Sequence, residues 1–102
     1  MKAYRYLDEA DQEFQEQVGY FDGISRIVAM KFLDDVEAAV NEIRRYPQIG
    51  APLTRQVRKR VLTGFKYSIL YVDTPQELLI VAVAPHRRRP GYWRKRLRQL
   101  NR

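Results

Sequence analysis

Cysteine is absent from the 102-residue chain. That excludes disulfides and thiolate metal sites, and it suits a reducing compartment such as the cytoplasm. Histidine occurs once, at His86, and no His/Asp/Glu cluster has ligand spacing, so no metal is expected. No Gly-rich phosphate loop is present, no Ser or Cys nucleophile is expected to stand beside a plausible base, and no cofactor is expected. No long uncharged apolar run exists, which predicts no transmembrane helix and no membrane partner. Met1–Arg5 leads into no apolar core, so no signal peptide is expected. Acidic residues are scarce in the second half, where only Asp73 and Glu77 occur.

That last scarcity makes the charge lopsided. Residues 1–50 carry six Lys/Arg against ten Asp/Glu, a balance of −4; residues 51–102 carry thirteen against two, a balance of +11. A chain with one cationic side attracts nucleic acid or an acidic protein surface. The length fits one domain over residues 1–102, and 45% hydrophobic content can fill a single core. There is no internal repeat and no low-complexity linker.

The pattern along the chain predicts an α+β fold. Lys2–Leu7 reads as a first strand. Asp8 is placed to cap a helix whose apolar face carries Ala10, Phe14, Val18 and Phe21, with Glu9, Asp11 and Glu13 near the positive end of the dipole. Asp22-Gly23 breaks it. Ser25 is placed to cap a second helix with the stripe Val28, Phe32, Val36, Val40, Ile43 and Tyr46, widened by Ala29 and Ala39. Pro47, Gly50 and Pro52 end it, and the short break between the helices implies an antiparallel hairpin.

From Val57 the period becomes two. Val57 and Val61 alternate with Arg58 and Arg60, and Phe65, Tyr67, Ile69 and Tyr71 share one face of a following strand. Asp73-Thr74-Pro75-Gln76 is a turn. Leu78–Ala84 is apolar on both faces, as a central strand is, and Pro85 ends it. The expected architecture is an N-terminal strand and a helical hairpin packed on an antiparallel sheet (β-α-α-β-β-β), followed by a short basic tail or helix.

His86-Arg87-Arg88-Arg89-Pro90-Gly91-Tyr92-Trp93 follows at once. With Val57–Leu62, Phe65–Tyr71, Ile80–Val83 and the helix end Tyr46-Pro47-x-x-Gly50, it resembles the ParE branch of the RelE/ParE toxin superfamily. Lys66 departs from the pattern, since many relatives have proline there. The resemblance implies the toxin of a type II toxin–antitoxin pair, neutralised by a cognate antitoxin whose C-terminal segment wraps it. It also implies inhibition of DNA gyrase, with growth arrest, and contact with operator DNA only through the antitoxin. RelE-type relatives share the fold but cleave mRNA on the ribosome, and an inactive relative would only bind its antitoxin.

Two sets of site residues follow. A target-binding surface would use Arg87, Arg88, Arg89, Tyr92, Trp93, Arg94 and Arg96. A ribonuclease needs a base, an acid and cations for the phosphorane, for which Arg58, Arg60, His86, Arg87 and Tyr92 are the candidates. Each aromatic has a second reading: Tyr92 and Trp93 can simply pack the tail on the sheet, and His86 can be a hydrogen-bonded structural residue. The exposed apolar surface left by one helical hairpin implies an antitoxin segment carrying Leu/Ile and acidic residues.

Overall fold

The computed structural model describes residues 1–101. The elements are β1 (Tyr4–Tyr6), α1 (Asp8–Asp22), α2 (Arg26–Arg45), β2 (Ala51–Pro52), β3 (Val57–Val61), β4 (Tyr67–Asp73), β5 (Leu78–Pro85) and a 3-10 helix (Arg94–Asn101). The order is the one the pattern implies, with a two-residue strand, β2, added at the edge.

The sheet runs β1-β5-β4-β3-β2. Neighbours from β2 to β5 are antiparallel, and β1 joins β5 in parallel, with Tyr4 opposite Leu78 and Tyr6 opposite Ile80. The N-terminal strand therefore makes the sheet mixed. A parallel neighbour needs a crossover, and the helical hairpin supplies the first part of it.

Local capping differs from the expectation at α1. Leu7, not Asp8, is the N-cap, and it makes no side-chain cap bond; Asp8 is the first helical residue. With Glu9 and Asp11 it still lies where the exposed N–H groups favour negative charge. Ser25 does cap α2, accepting from the Val28 N–H at 3.4 Å. Arg44 and Arg45 occupy the last turn of α2. The Arg44 guanidinium donates to the Lys2 carbonyl at 2.8 Å, which ties the end of α2 to the start of the chain.

The apolar stripe of α2 packs as its spacing demands, through Ala29, Phe32, Val36, Ala39, Val40 and Ile43. Its ends do not follow. Val28 is only half-buried, and Tyr46 is 60% exposed, because the helix stops at Arg45 and turns the tyrosine outward. Phe32 is the aromatic hub: its ring lies 4.9 Å from Tyr67, 5.0 Å from Phe21 and 5.1 Å from Phe65. Tilted and edge-on pairs at these separations add to plain area burial.

Leu78–Ala84 is buried throughout. The helices do not cover it alone. Trp93 is buried in the same cluster, with Leu97 and Leu100 packed against it, so the chain's own C-terminal segment supplies part of the cover. The apolar surface still open lies elsewhere, at Tyr20, Ile24, Ile27 and Met30 around the helical turn and at Leu53 and Val61 beside β3. Among the described residues, no helix is long and apolar enough to cross a membrane.

One irregularity shapes the functional end. Leu70 faces Ala82 but Tyr71 faces Ile80, so Val81 is a bulged extra residue in β5. A bulge reverses which backbone groups point to which side. Before it, the Leu78 N–H donates to the Ala3 carbonyl and the Ile80 carbonyl accepts from the Leu7 N–H, the two residues that flank β1. Beyond it β1 has ended, and the Val81 carbonyl and Val83 N–H are met by side chains instead, those of Arg96 and Glu13.

Candidate functional site

The basic segment leaves the sheet where β5 stops at Pro85. The chain then reverses through successive turns: Arg88 N–H to Pro85 carbonyl (3.1 Å), Tyr92 N–H to Arg89 carbonyl (3.3 Å), Arg94 N–H to Gly91 carbonyl (3.0 Å). Gly91 has φ +78°, a left-handed conformation that a side chain strains. Pro90 and Gly91 thus turn the chain back across the sheet, which buries Trp93 to 4% exposure.

Between this returning segment and β3 lies a groove of about 340 Å³. Its apolar lining comes from Leu53, Val61, Leu70, Ala84 and Trp93; its charged lining comes from Lys59, Arg88, Arg89 and Arg94. Ser68 and His86 also line it, joined by a 2.9 Å Oγ···Nε2 hydrogen bond. The His86 N–H donates to the Lys66 carbonyl, so the histidine is held across the β4–β5 pair. Cross-strand pairing brings Ser68 and His86 together from 18 positions apart, so a serine does stand beside a possible base, contrary to the expectation from sequence.

Glu13 sits behind this groove as a hub. Its carboxylate takes both Arg96 nitrogens (2.7 and 3.0 Å), the Tyr92 hydroxyl (2.5 Å) and the Val83 N–H (3.2 Å). The same Arg96 guanidinium donates to the Val81 carbonyl at 3.0 Å. Bidentate pairs of this kind are strong and directional. Burial raises the Tyr92 pKa, and the Glu13 hydrogen bond raises it further, so the phenol stays protonated well beyond its ordinary range. Burial alone would lower the Arg96 pKa, but the Glu13 hydrogen bond and charge outweigh it and the net shift is upward. The Tyr92 ring in turn carries the Arg88 guanidinium at 3.9 Å and that of Arg96 at 5.1 Å.

The seven target-surface candidates therefore divide. Arg87, Arg88, Arg89 and Arg94 are exposed. Tyr92 and Arg96 are half-buried and engaged with Glu13, and Trp93 is buried. Arg87 also parts from its neighbours: it lines a different hollow, with Tyr20, Phe21, Phe65 and Tyr67.

The five ribonuclease candidates are not brought together. Lys59 and Val61 line the groove, so in a period-two strand Arg58 and Arg60 face the other way. Arg60 pairs with Glu42 of α2 at 2.7 Å. Arg58 donates to the Gly50 carbonyl (2.7 Å) and to Gln48. His86 lines both the groove, with Tyr92, and the next hollow, with Arg87, but the Tyr92 hydroxyl is committed to Glu13 and Arg58 and Arg60 lie apart from all three.

Three contributors to the site escape sequence reasoning. Lys59 had a signal, since alternation puts it with Val57 and Val61 on one face. Ser68 needed the β4–β5 register. Glu13 reads only as a helix-dipole residue, because its partners lie 70 to 83 positions away. Among the described residues, no group of His, Cys, Asp or Glu is placed to hold a metal ion.

No curated protein matches the chain. A solved structure described as the chromosomal ParDE TA system from P. aeruginosa superposes with a TM-score of 0.71 at 17% identity, over 83% of this chain and 96% of that one. At that identity the likeness speaks for the fold. A family model, the ParE toxin of type II toxin-antitoxin system, parDE, matches residues 4–90. That span runs from β1 through His86 and the three arginines and stops just before Gly91. With the whole sheet, the helical hairpin and the first part of the basic turn inside it, this chain belongs to the ParE toxin family of type II toxin–antitoxin systems.

Proposed function

We propose that the chain arrests growth by inhibiting DNA gyrase and is neutralised by a cognate antitoxin, acting in the cytoplasm as a single toxin domain. Family membership supports this, and one observation carries it. Arg87, Arg88, Arg89 and Arg94 stand exposed on one turn, and none of the ion pairs among the described residues involves them. Unpaired guanidiniums on a rigid turn suit an acidic or DNA-bound protein target, and they steer encounter electrostatically. The scattered ribonuclease candidates favour binding over mRNA cleavage on the ribosome.

The antitoxin reading is supported by the same charges and by the exposed apolar residues beside them, Leu53 and Val61. An antitoxin segment bearing acidic and aliphatic side chains would cover both. Any contact with operator DNA would be made by that antitoxin.

A supercoiling assay with purified gyrase tests the proposal. Added protein should inhibit supercoiling, and equimolar antitoxin should restore it. Normal supercoiling at excess protein, with cleavage of mRNA in a translating extract, would replace it with the ribonuclease reading.

A further inference from the structure

We infer that the hollow beside Arg87, between the end of α1 and the 64–66 loop, binds a nucleoside phosphate, its base laid on Tyr20 and its phosphate held by Lys66 and Arg87. This goes beyond gyrase inhibition and antitoxin binding, and it depends on neither. The cavity is a different one from the groove lined by Arg88 and Trp93, with only Pro85 and His86 in common.

The lining decides the class of ligand. The hollow holds about 420 Å³, which is room for a small molecule. Its walls are aromatic, from Tyr20 and Phe21 of α1 and from Phe65 and Tyr67 where β4 begins. Its cations are Lys66 and Arg87, neither of which enters an ion pair among the described residues. No acidic residue lines it, and Pro85 is its sole aliphatic residue. Rings beside unpaired cations match a flat base that carries a phosphate. An aliphatic carboxylate would answer the cations and leave the rings unpaired.

The state of the rings sharpens this. In the basic turn, Tyr92 and Trp93 already carry guanidiniums. Tyr20 is 54% exposed and, among the described residues, has no guanidinium over it. Its aromatic neighbour Phe21 meets it at 68°, not stacked flat upon it. A base can lie there, and such stacking tolerates any base.

Charge orders the two ends of the ligand. The carbonyl end of α1 is the negative pole of the helix, which disfavours a phosphate beside Tyr20. Lys66 and Arg87 come from the other wall, at the start of β4 and just past the end of β5. The His86 N–H donates to the Lys66 carbonyl at 3.0 Å, so paired backbone holds both cations in place. The Gly64 N–H donates to Asp35 at 3.0 Å, and the Tyr67 hydroxyl donates to Gln17. Loop and wall are thus set before a ligand arrives, which lowers the ordering cost of binding. Two side-chain cations suit one phosphate, and the chain has no Gly-rich loop to cradle a polyphosphate. The ligand is therefore a monophosphate unit, either free or within a single strand.

Isothermal titration calorimetry of the full-length protein tests this with AMP, adenosine, inorganic phosphate, oligo-dA and a glutamate–phenylalanine peptide. AMP should bind saturably and about tenfold or more tighter than adenosine or phosphate, because both ends contribute. Either result with oligo-dA keeps the site and names its source: no binding gives a free nucleotide, and binding as tight as AMP gives a unit of a strand. Tyr20→Ala should weaken AMP about fivefold or more, whereas Tyr20→Phe, which keeps the ring, should stay within about twofold. Arg87→Ala should weaken it about tenfold. Arg94→Ala removes the same charge from the groove instead and should stay within about twofold of wild type. Tyr20, Arg87 and Arg94 are exposed, and near-ultraviolet circular dichroism confirms that each variant is folded.

AMP binding no tighter than phosphate would overturn the site, as would AMP binding untouched by Tyr20→Ala or weakened equally by Arg94→Ala. Tighter binding of the glutamate–phenylalanine peptide would give the hollow to a protein segment and overturn the nucleotide assignment. A protein that leaves gyrase active yet binds AMP through Arg87 and Tyr20 would refute the proposed target and uphold the nucleotide site.

Discussion

Glu13 and Arg96 form a bidentate ion pair at 2.7 and 3.0 Å, with side chains only 14% and 13% exposed. The pair stands where β1 has ended and the edge of β5 is open. An open edge invites pairing with another chain. Here one side chain accepts from the strand and the other donates to it, so the edge is closed without a further strand.

Removing either partner strands the other. Arg96→Ala should destabilise the fold by about 2–4 kcal/mol, since it leaves a largely buried carboxylate and a strand carbonyl short of donors. Urea unfolding gives the value, and the double variant with Glu13→Gln should cost less than the sum of the singles. Additive costs would show that the two do not act together.

Phe32 is 0% exposed and meets four other rings, those of Phe14, Phe21, Phe65 and Tyr67. Phe32→Ala should cost about 3–5 kcal/mol, because the cavity cannot collapse among rigid aromatics. Phe32→Leu should recover much of that. The same urea series, with an unchanged slope, checks both.

Alkaline pH should unfold the protein sooner than carboxylate or imidazole chemistry would suggest. Burial raises the pKa of Tyr6, Tyr67, Tyr71 and Tyr92. Each phenol is thus more easily ionised in the unfolded chain, whose tyrosines titrate near pH 10. The stabilisation is complete below about pH 10 and is lost as pH climbs toward the folded values. Unfolding midpoints should fall steadily above pH 10, and Tyr92→Phe should make the fall shallower. Flat midpoints from pH 9 to 11 would contradict the burial of these hydroxyls.

Arg87, Arg88 and Arg89 are exposed and carry no ion pair among the described residues. Replacing all three with Ala should abolish toxicity in a growth assay while changing stability by no more than about 0.5 kcal/mol, the range for surface substitutions. Full toxicity of the triple variant would remove the turn from the working surface.

Gly91→Ala tests the turn itself. The left-handed backbone alone costs about 1–2 kcal/mol, and a Cβ there would sit 2.7 Å from the Arg94 Nε. The arginine can swing aside, so the expected result is a modest loss of stability with a larger loss of toxicity in the growth assay. Intact function would show that Arg94 need not hold its place.

Much of this fold is written in short-range pattern. The α2 stripe, the alternation in β3 and the run Leu78–Ala84 each follow from a period that the chain must satisfy to bury its apolar side. Pro85 marks the end of β5 because proline lacks the N–H a ladder needs. What stays hidden is pairing across distance. Nothing near Glu13 distinguishes it from Glu9, yet Glu9 meets only Gln99 at the surface while Glu13 holds the edge of β5. The Val81 bulge, the Ser68–His86 bond and the parallel seat of β1 likewise depend on register, which no local window contains. The basic turn was legible as a surface; that Tyr92 and Trp93 serve to hold it was legible only as one of two readings, and Arg96 was legible only as part of the surface.

The parallel seat of β1 on β5 has a consequence for how the molecule comes into being. Tyr4 waits for Leu78, and Glu13 waits for Arg96. The first strand and first helix cannot complete their contacts until almost the whole chain has left the ribosome. Closure over such separations is slow for a domain of this size. A nascent fragment ending before β5 would hold Leu7, Phe14 and Phe32 without the sheet they pack on. The contacts that hold the basic turn, from Glu13 to Tyr92 and Arg96, therefore form only after β5 and the segment that follows it have been made.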